Sequence, residues 1–80
     1  MKPRKEVMDF AELCEKKLRK NDYKPHWRGA ALDYLRKRLS EEVNELRRAI
    51  DDNTSVETVR DECADVANFA MMIADTYEQR

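Results

Sequence analysis

Five acidic side chains in the middle of this chain, Glu41, Glu42, Glu45, Glu62 and Asp65, are spaced for chemistry. Glu42 and Glu45 are separated by one helical step of i to i+3, as are Glu62 and Asp65, so on helices each pair projects from one face. Between the pairs lies a polar break, Asp51-Asp52-Asn53-Thr54-Ser55. If this break folds the chain into an antiparallel helical hairpin, Glu42 comes level with Asp65 and Glu45 with Glu62, because each pair is equidistant in sequence from the middle of the break. Four carboxylates brought together resist joint ionisation unless something cationic sits among them. A hard divalent cation with oxygen ligands is the natural occupant.

Acidic residues at i, i+3 are common on solvated helices, so the pairs alone are a weak signal. Position 42 is more telling. Leu32, Leu35, Leu39, Leu46 and Ala49 form an apolar stripe whose missing member is Glu42, and an unpartnered carboxylate is costly to bury. A carboxylate-bridged di-iron bundle takes Glu-x-x-His motifs on two helices. His26 is the only histidine and lies in a predicted loop, which excludes that chemistry. A Mg²⁺ site, in which the ion bridges protein carboxylates and substrate phosphates, needs only the oxygen ligands present here. The basic residues Arg36, Lys37, Arg38, Arg47 and Arg48 flank the acids, and most read as ion pairs along one helix, such as Lys37 with Glu41 or Arg38 with Glu42.

Three helices must position these groups. Over residues 4–20, Val7, Met8, Ala11, Cys14 and Leu18 recur at helical steps, with Phe10 at the margin. Residues 21–29 hold Pro25, Gly29 and two Asx residues and read as a loop. Its Trp27 is either a flat surface for a base, with Lys24, His26 or Arg28 near phosphate, or a tryptophan that closes the core beneath the loop. A second helix runs over residues 30–51. Thr54-x-x-Glu57 has capping-box spacing, with Ser55 as a competing cap, so a third helix starts there. That helix carries one stripe of Val56, Val59, Cys63, Val66, Ala70, Ile73 and Tyr77, and a second of Glu62, Asp65, Phe69, Met72 and Thr76. A helix apolar on more than one side must be central, and the second stripe predicts a homo-oligomeric interface.

The composition fits this plan. The chain has 80 residues, 41% charged and 41% hydrophobic, with a single Gly and two Pro, which suits long amphipathic helices in one domain over residues 1–80. A core of this size is a weak stabiliser, so a partner subunit is expected. The 16 basic and 17 acidic residues leave a net charge of -1, so no global field draws the protein to a nucleic-acid polymer or an anionic membrane. No apolar run is long enough to span a bilayer. Cys14 and Cys63 lack metal or redox spacing, and the charged N-terminus gives no sign of a secretory signal. A cytoplasmic protein with packed thiols is expected.

Glu41-Glu42-x-x-Glu45 followed by Glu62-x-x-Asp65 resembles the signature of the MazG-like all-α nucleoside triphosphate pyrophosphohydrolases, a superfamily that includes phosphoribosyl-ATP pyrophosphohydrolases and dimeric dUTPases. The resemblance runs from about Trp27 through Leu32-x-x-Leu35 and the acidic motifs to the segment Ala64-Asp65-Val66-Ala67-Asn68-Phe69-Ala70 and on to Asp75. It implies a three-helix antiparallel protomer that assembles as a homodimer or homotetramer into a helical bundle. It further implies cleavage of a (deoxy)nucleoside triphosphate between the α and β phosphorus atoms with Mg²⁺ or Mn²⁺. On the same grounds Glu42, Glu45, Glu62 and Asp65 hold metal, Glu41 or Glu45 serves the attacking water, and Trp27, Arg38 and Asn68 contact substrate. Asn68 has a second reading, as a buried amide satisfying backbone. The chain is shorter than many of the proteins it resembles, and the alternative from another class is a non-catalytic helical oligomerisation or nucleotide-binding module that keeps the acidic motif.

Overall fold

The computed structural model describes residues 1–79, and among them there are three α-helices and no strand. Helix α1 spans Lys5–Arg19, α2 spans Leu32–Asp51 and α3 spans Val56–Glu78. A 3-10 turn, Trp27–Gly29, lies in the loop between α1 and α2. No helix among the described residues is long and apolar enough to cross a membrane.

The turn from α2 to α3 is built by local chemistry. Asn53 takes a left-handed φ of 53°, a conformation that Asn tolerates better than most residues. Its N–H donates to Ile50 O and the Thr54 N–H to Ala49 O, each at 3.1 Å, the crossed pair of bonds that closes a Schellman motif. Of the two expected caps, Ser55 takes α3: its Oγ accepts from Thr58 N at 3.1 Å. Thr54 instead serves the end of α2, its Oγ1 donating to Ala49 O at 2.9 Å. So short a turn forces α2 and α3 to lie antiparallel and fixes their register.

Helix α3 is central, as its two apolar stripes require. It packs against α1, α2 and the 3-10 turn, whereas the backbones of α1 and α2 stay apart among the described residues. Asn68 Nδ2 donates to Cys14 O at 3.1 Å, and Lys17 lies 3.4 Å from Asp65, so α1 runs antiparallel to α3 as well. Helices α1 and α2 are therefore parallel to each other on either side of α3. Residues 20–31 run back along α3 to join them, and a cavity fills the gap between the flanking helices.

One sequence expectation needs correction. Helix α1 does not turn the Val7, Met8, Ala11 line inward: Val7 and Met8 are 53% and 44% exposed, and Ala11 is exposed. The line that α1 turns toward α3 is Phe10, Leu13, Cys14, Lys17 and Leu18, all half-buried. Asp65, Phe69 and Met72 of the second stripe of α3 are half-buried and line the cavity. The core itself is small, since among the described residues only Leu35, Ala49 and Ala64 are buried apolar residues.

Candidate metal and substrate site

The α2–α3 hairpin brings three of the predicted carboxylates together. Glu42, Glu62 and Asp65 each offer an oxygen, and these oxygens lie within 4.8 Å of one another. Glu42 is buried at 5% exposure, and Glu62 and Asp65 are half-buried. Glu45 is exposed at the rim, outside this tight group, but its charge acts on both Glu42 and Glu62. Glu41 is half-buried beside Arg38.

The electrostatics are strained in a specific way. Burial first, then the charges of Glu45 and Asp65, push the Glu42 carboxyl above its ordinary value, against a downward pull from Arg38. Glu62 is pushed up by the same causes, with Lys17 pulling it down. The Oε2 atoms of Glu42 and Glu62 are buried and accept no hydrogen bond. Buried polar atoms of this kind are rare, and each marks a strained group or a missing partner.

Two cations reach the cluster. Arg38 donates from Nη1 to Glu41 and from Nη2 to Glu42 Oε1 at 2.7 Å, while its guanidinium lies over the Phe69 ring at 5.1 Å. The expected Arg38–Glu42 pair thus forms, and Glu41 is paired with Arg38 rather than with Lys37. Lys17, from α1, is the second cation, 3.4 Å from Asp65 Oδ1. Sequence reasoning missed it. The signal was present, for Lys17 interrupts the true inward line of α1 as Glu42 interrupts that of α2.

The cluster opens onto a cavity of ≈ 910 Å³, with Glu42 and Asp65 in its wall. This is near the upper end of the roughly 300–1,000 Å³ range of small-molecule sites. Its lining includes Lys20, Lys24 and Arg38 as cations, and His26, Trp27 and Tyr34 as aromatic rings. Trp27 is half-buried, lines the cavity and donates from Nε1 to Asp75 Oδ2 at 2.9 Å. Arg28, considered for phosphate, is engaged by the same carboxylate at 2.8 Å. Asn68 is buried, and its amide donates to the Cys14 carbonyl, which is the backbone-satisfying role. Asp75 had no signal of its own in the sequence, because its partners lie more than forty positions away, at separations of 47 and 48.

Compared with known proteins, the chain matches no family model, no curated protein and no solved structure.

Proposed function

We propose that this chain is a Mg²⁺-dependent nucleoside triphosphate pyrophosphohydrolase of the MazG-like type, converting a (deoxy)nucleoside triphosphate to the monophosphate and pyrophosphate. One observation carries the reading: the buried, unpartnered Oε2 atoms of Glu42 and Glu62, grouped with Asp65 at the end of a nucleotide-sized cavity. Buried anions held this close destabilise the fold unless a counter-charge joins them. An all-carboxylate set suits a hard cation, so Glu42, Glu62 and Asp65 would hold Mg²⁺ or Mn²⁺, with Glu45 completing the set at the rim. The ion, when bound, neutralises the triphosphate and lowers the pKa of a coordinated water.

The chain's own groups do the rest. Glu45 forms no ion pair among the described residues, whereas Glu41 is engaged by Arg38, so Glu45 is the better candidate to take the proton of the attacking water. Arg38, held by Phe69 and the two glutamates, stands in the cavity wall where a phosphate oxygen can be met. Trp27 offers an aromatic face to the base. Asn68 leaves the substrate set, since its amide is committed to backbone.

A second reading has its own support. Lys17 and Arg38 already neutralise part of the cluster, as they would in a helical interaction module without catalysis. Pyrophosphate release from a panel of ribo- and deoxyribonucleoside triphosphates with Mg²⁺ separates the two. Release by the wild type, lost in Glu42→Gln and Asp65→Asn, is expected. No release from any substrate, with metal affinity unchanged in both variants, contradicts the enzyme.

A further inference from the structure

The connection over residues 20–31 is fastened to α3 through one carboxylate. Asp75 Oδ2 accepts from Trp27 Nε1 at 2.9 Å and from Arg28 Nε at 2.8 Å, and Oδ1 accepts from Arg28 Nη2 at 3.0 Å. The guanidinium is thus bidentate on the carboxylate, the geometry that fixes direction as well as distance. His26 joins the arrangement: its Nδ1 accepts from Arg28 N at 3.2 Å, and its ring lies 3.9 Å from that of Trp27, centroid to centroid. Three consecutive side chains are therefore ordered from a single point on α3. Two of them, His26 and Trp27, line the cavity that also holds Glu42 and Asp65.

We propose that Asp75 is a positioning residue: by gripping Trp27 and Arg28 together, it holds the His26–Trp27 ring pair as the wall against which the base of a nucleotide packs. The inference rests on the nucleotide reading of the cavity given above. A ring that is already immobile loses little conformational freedom when a ligand stacks on it, so fixing Trp27 in advance raises affinity for any ligand that carries a base. Stacking on an aromatic face tolerates different bases, so the latch selects nucleotides over bare polyphosphates without choosing among bases. Arg28 acts by holding the turn and does not itself line the cavity.

Calorimetric titration of the wild type, Asp75→Ala and Asp75→Asn tests this, using Mg²⁺ complexes of non-hydrolysable α,β-imido nucleoside triphosphates and of inorganic tripolyphosphate. Asp75→Ala is expected to weaken nucleotide binding on the order of tenfold while tripolyphosphate affinity stays within about twofold. Asp75→Asn keeps an acceptor for the indole and is expected to lose only about threefold, again for the nucleotide alone. Trp27 is the only tryptophan, so its emission reports the latch directly: it should shift to the red in Asp75→Ala and stay near the wild-type position in Asp75→Asn. Equal loss for both ligands, or no loss for the nucleotide, overturns the positioning role. If Asp75→Ala does not fold, Asp75→Asn decides by the presence or absence of its nucleotide-selective loss. A wild type that binds neither ligand, or both equally well, overturns the nucleotide reading itself and the inference with it, and that result is visible before any variant is made.

Discussion

At the scale of single residues, Glu42 and Glu62 carry the electrostatic strain of the cluster. Both carboxyls are raised above the ordinary 4.5, so the native state holds their protons more tightly than the unfolded chain does. Stability of the metal-free protein must then fall as pH rises through the raised native values, and the thermal midpoint should climb as the pH is lowered from neutrality toward the ordinary 4.5. Saturating Mg²⁺ should flatten this slope. Glu42→Gln removes the charge and keeps an acceptor for Arg38, so it should stabilise the metal-free protein at neutral pH by about 1–2 kcal/mol and abolish the rise in midpoint with Mg²⁺. A loss of stability in Glu42→Gln without metal would contradict the strain assigned to the cluster. Asp75 behaves in the opposite sense: Arg28 and Trp27 hold its carboxyl down at about 2, so its contribution is intact above the ordinary 3.8 and is lost only as pH falls toward 2. Glu42 was legible in the sequence because it broke an apolar stripe. Lys17 was hidden because the inward line of α1 reaches Cys14 and Leu18 through Phe10 and Leu13 rather than through Val7, Met8 and Ala11, and Asp75 because its partners are remote.

Among the elements, the α2–α3 turn sets the register that brings Glu42 to Glu62 and Asp65. Asn53 and Ser55 carry most of that work through the left-handed residue and the helix cap. Ser55→Ala should cost about 1 kcal/mol in denaturant unfolding, and Asn53→Ala a similar amount, of the order of 1–2 kcal/mol, because alanine lacks the side chain that makes the left-handed conformation tolerable. Asn53→Gly should be neutral or slightly stabilising, which distinguishes backbone geometry from side-chain hydrogen bonding. The hairpin was readable from the sequence, since acidic spacing and a polar break are local features. The parallel placement of α1 and α2 was not. It depends on the path of residues 20–31 along α3, which is fixed by Lys17–Asp65, Asn68–Cys14 and Asp75–Arg28, all of them long-range pairs.

For the whole molecule, surface area argues for a partner. A compact monomer of 9.5 kDa exposes about 5,000 Å², whereas this chain exposes 6375 Å², an excess of roughly 1,300 Å². The radius of gyration of 13.5 Å likewise exceeds the ~12 Å of a compact domain of 80 residues. The excess is larger than the roughly 800 Å² that each partner buries in a standard interface. Light scattering at micromolar concentration should therefore give the mass of a dimer or tetramer, and Val7→Glu together with Met8→Lys should reduce it if α1 contributes to the contact. A wild type that stays monomeric contradicts the oligomer. The chemistry proposed for the carboxylate cluster is read out by ³¹P NMR of a nucleoside triphosphate incubated with the protein and Mg²⁺. Pyrophosphate and nucleoside monophosphate are expected as the first products, formed by the wild type and not by Glu42→Gln; inorganic phosphate with nucleoside diphosphate, or an unchanged triphosphate spectrum across the substrate panel, would rule out a pyrophosphohydrolase.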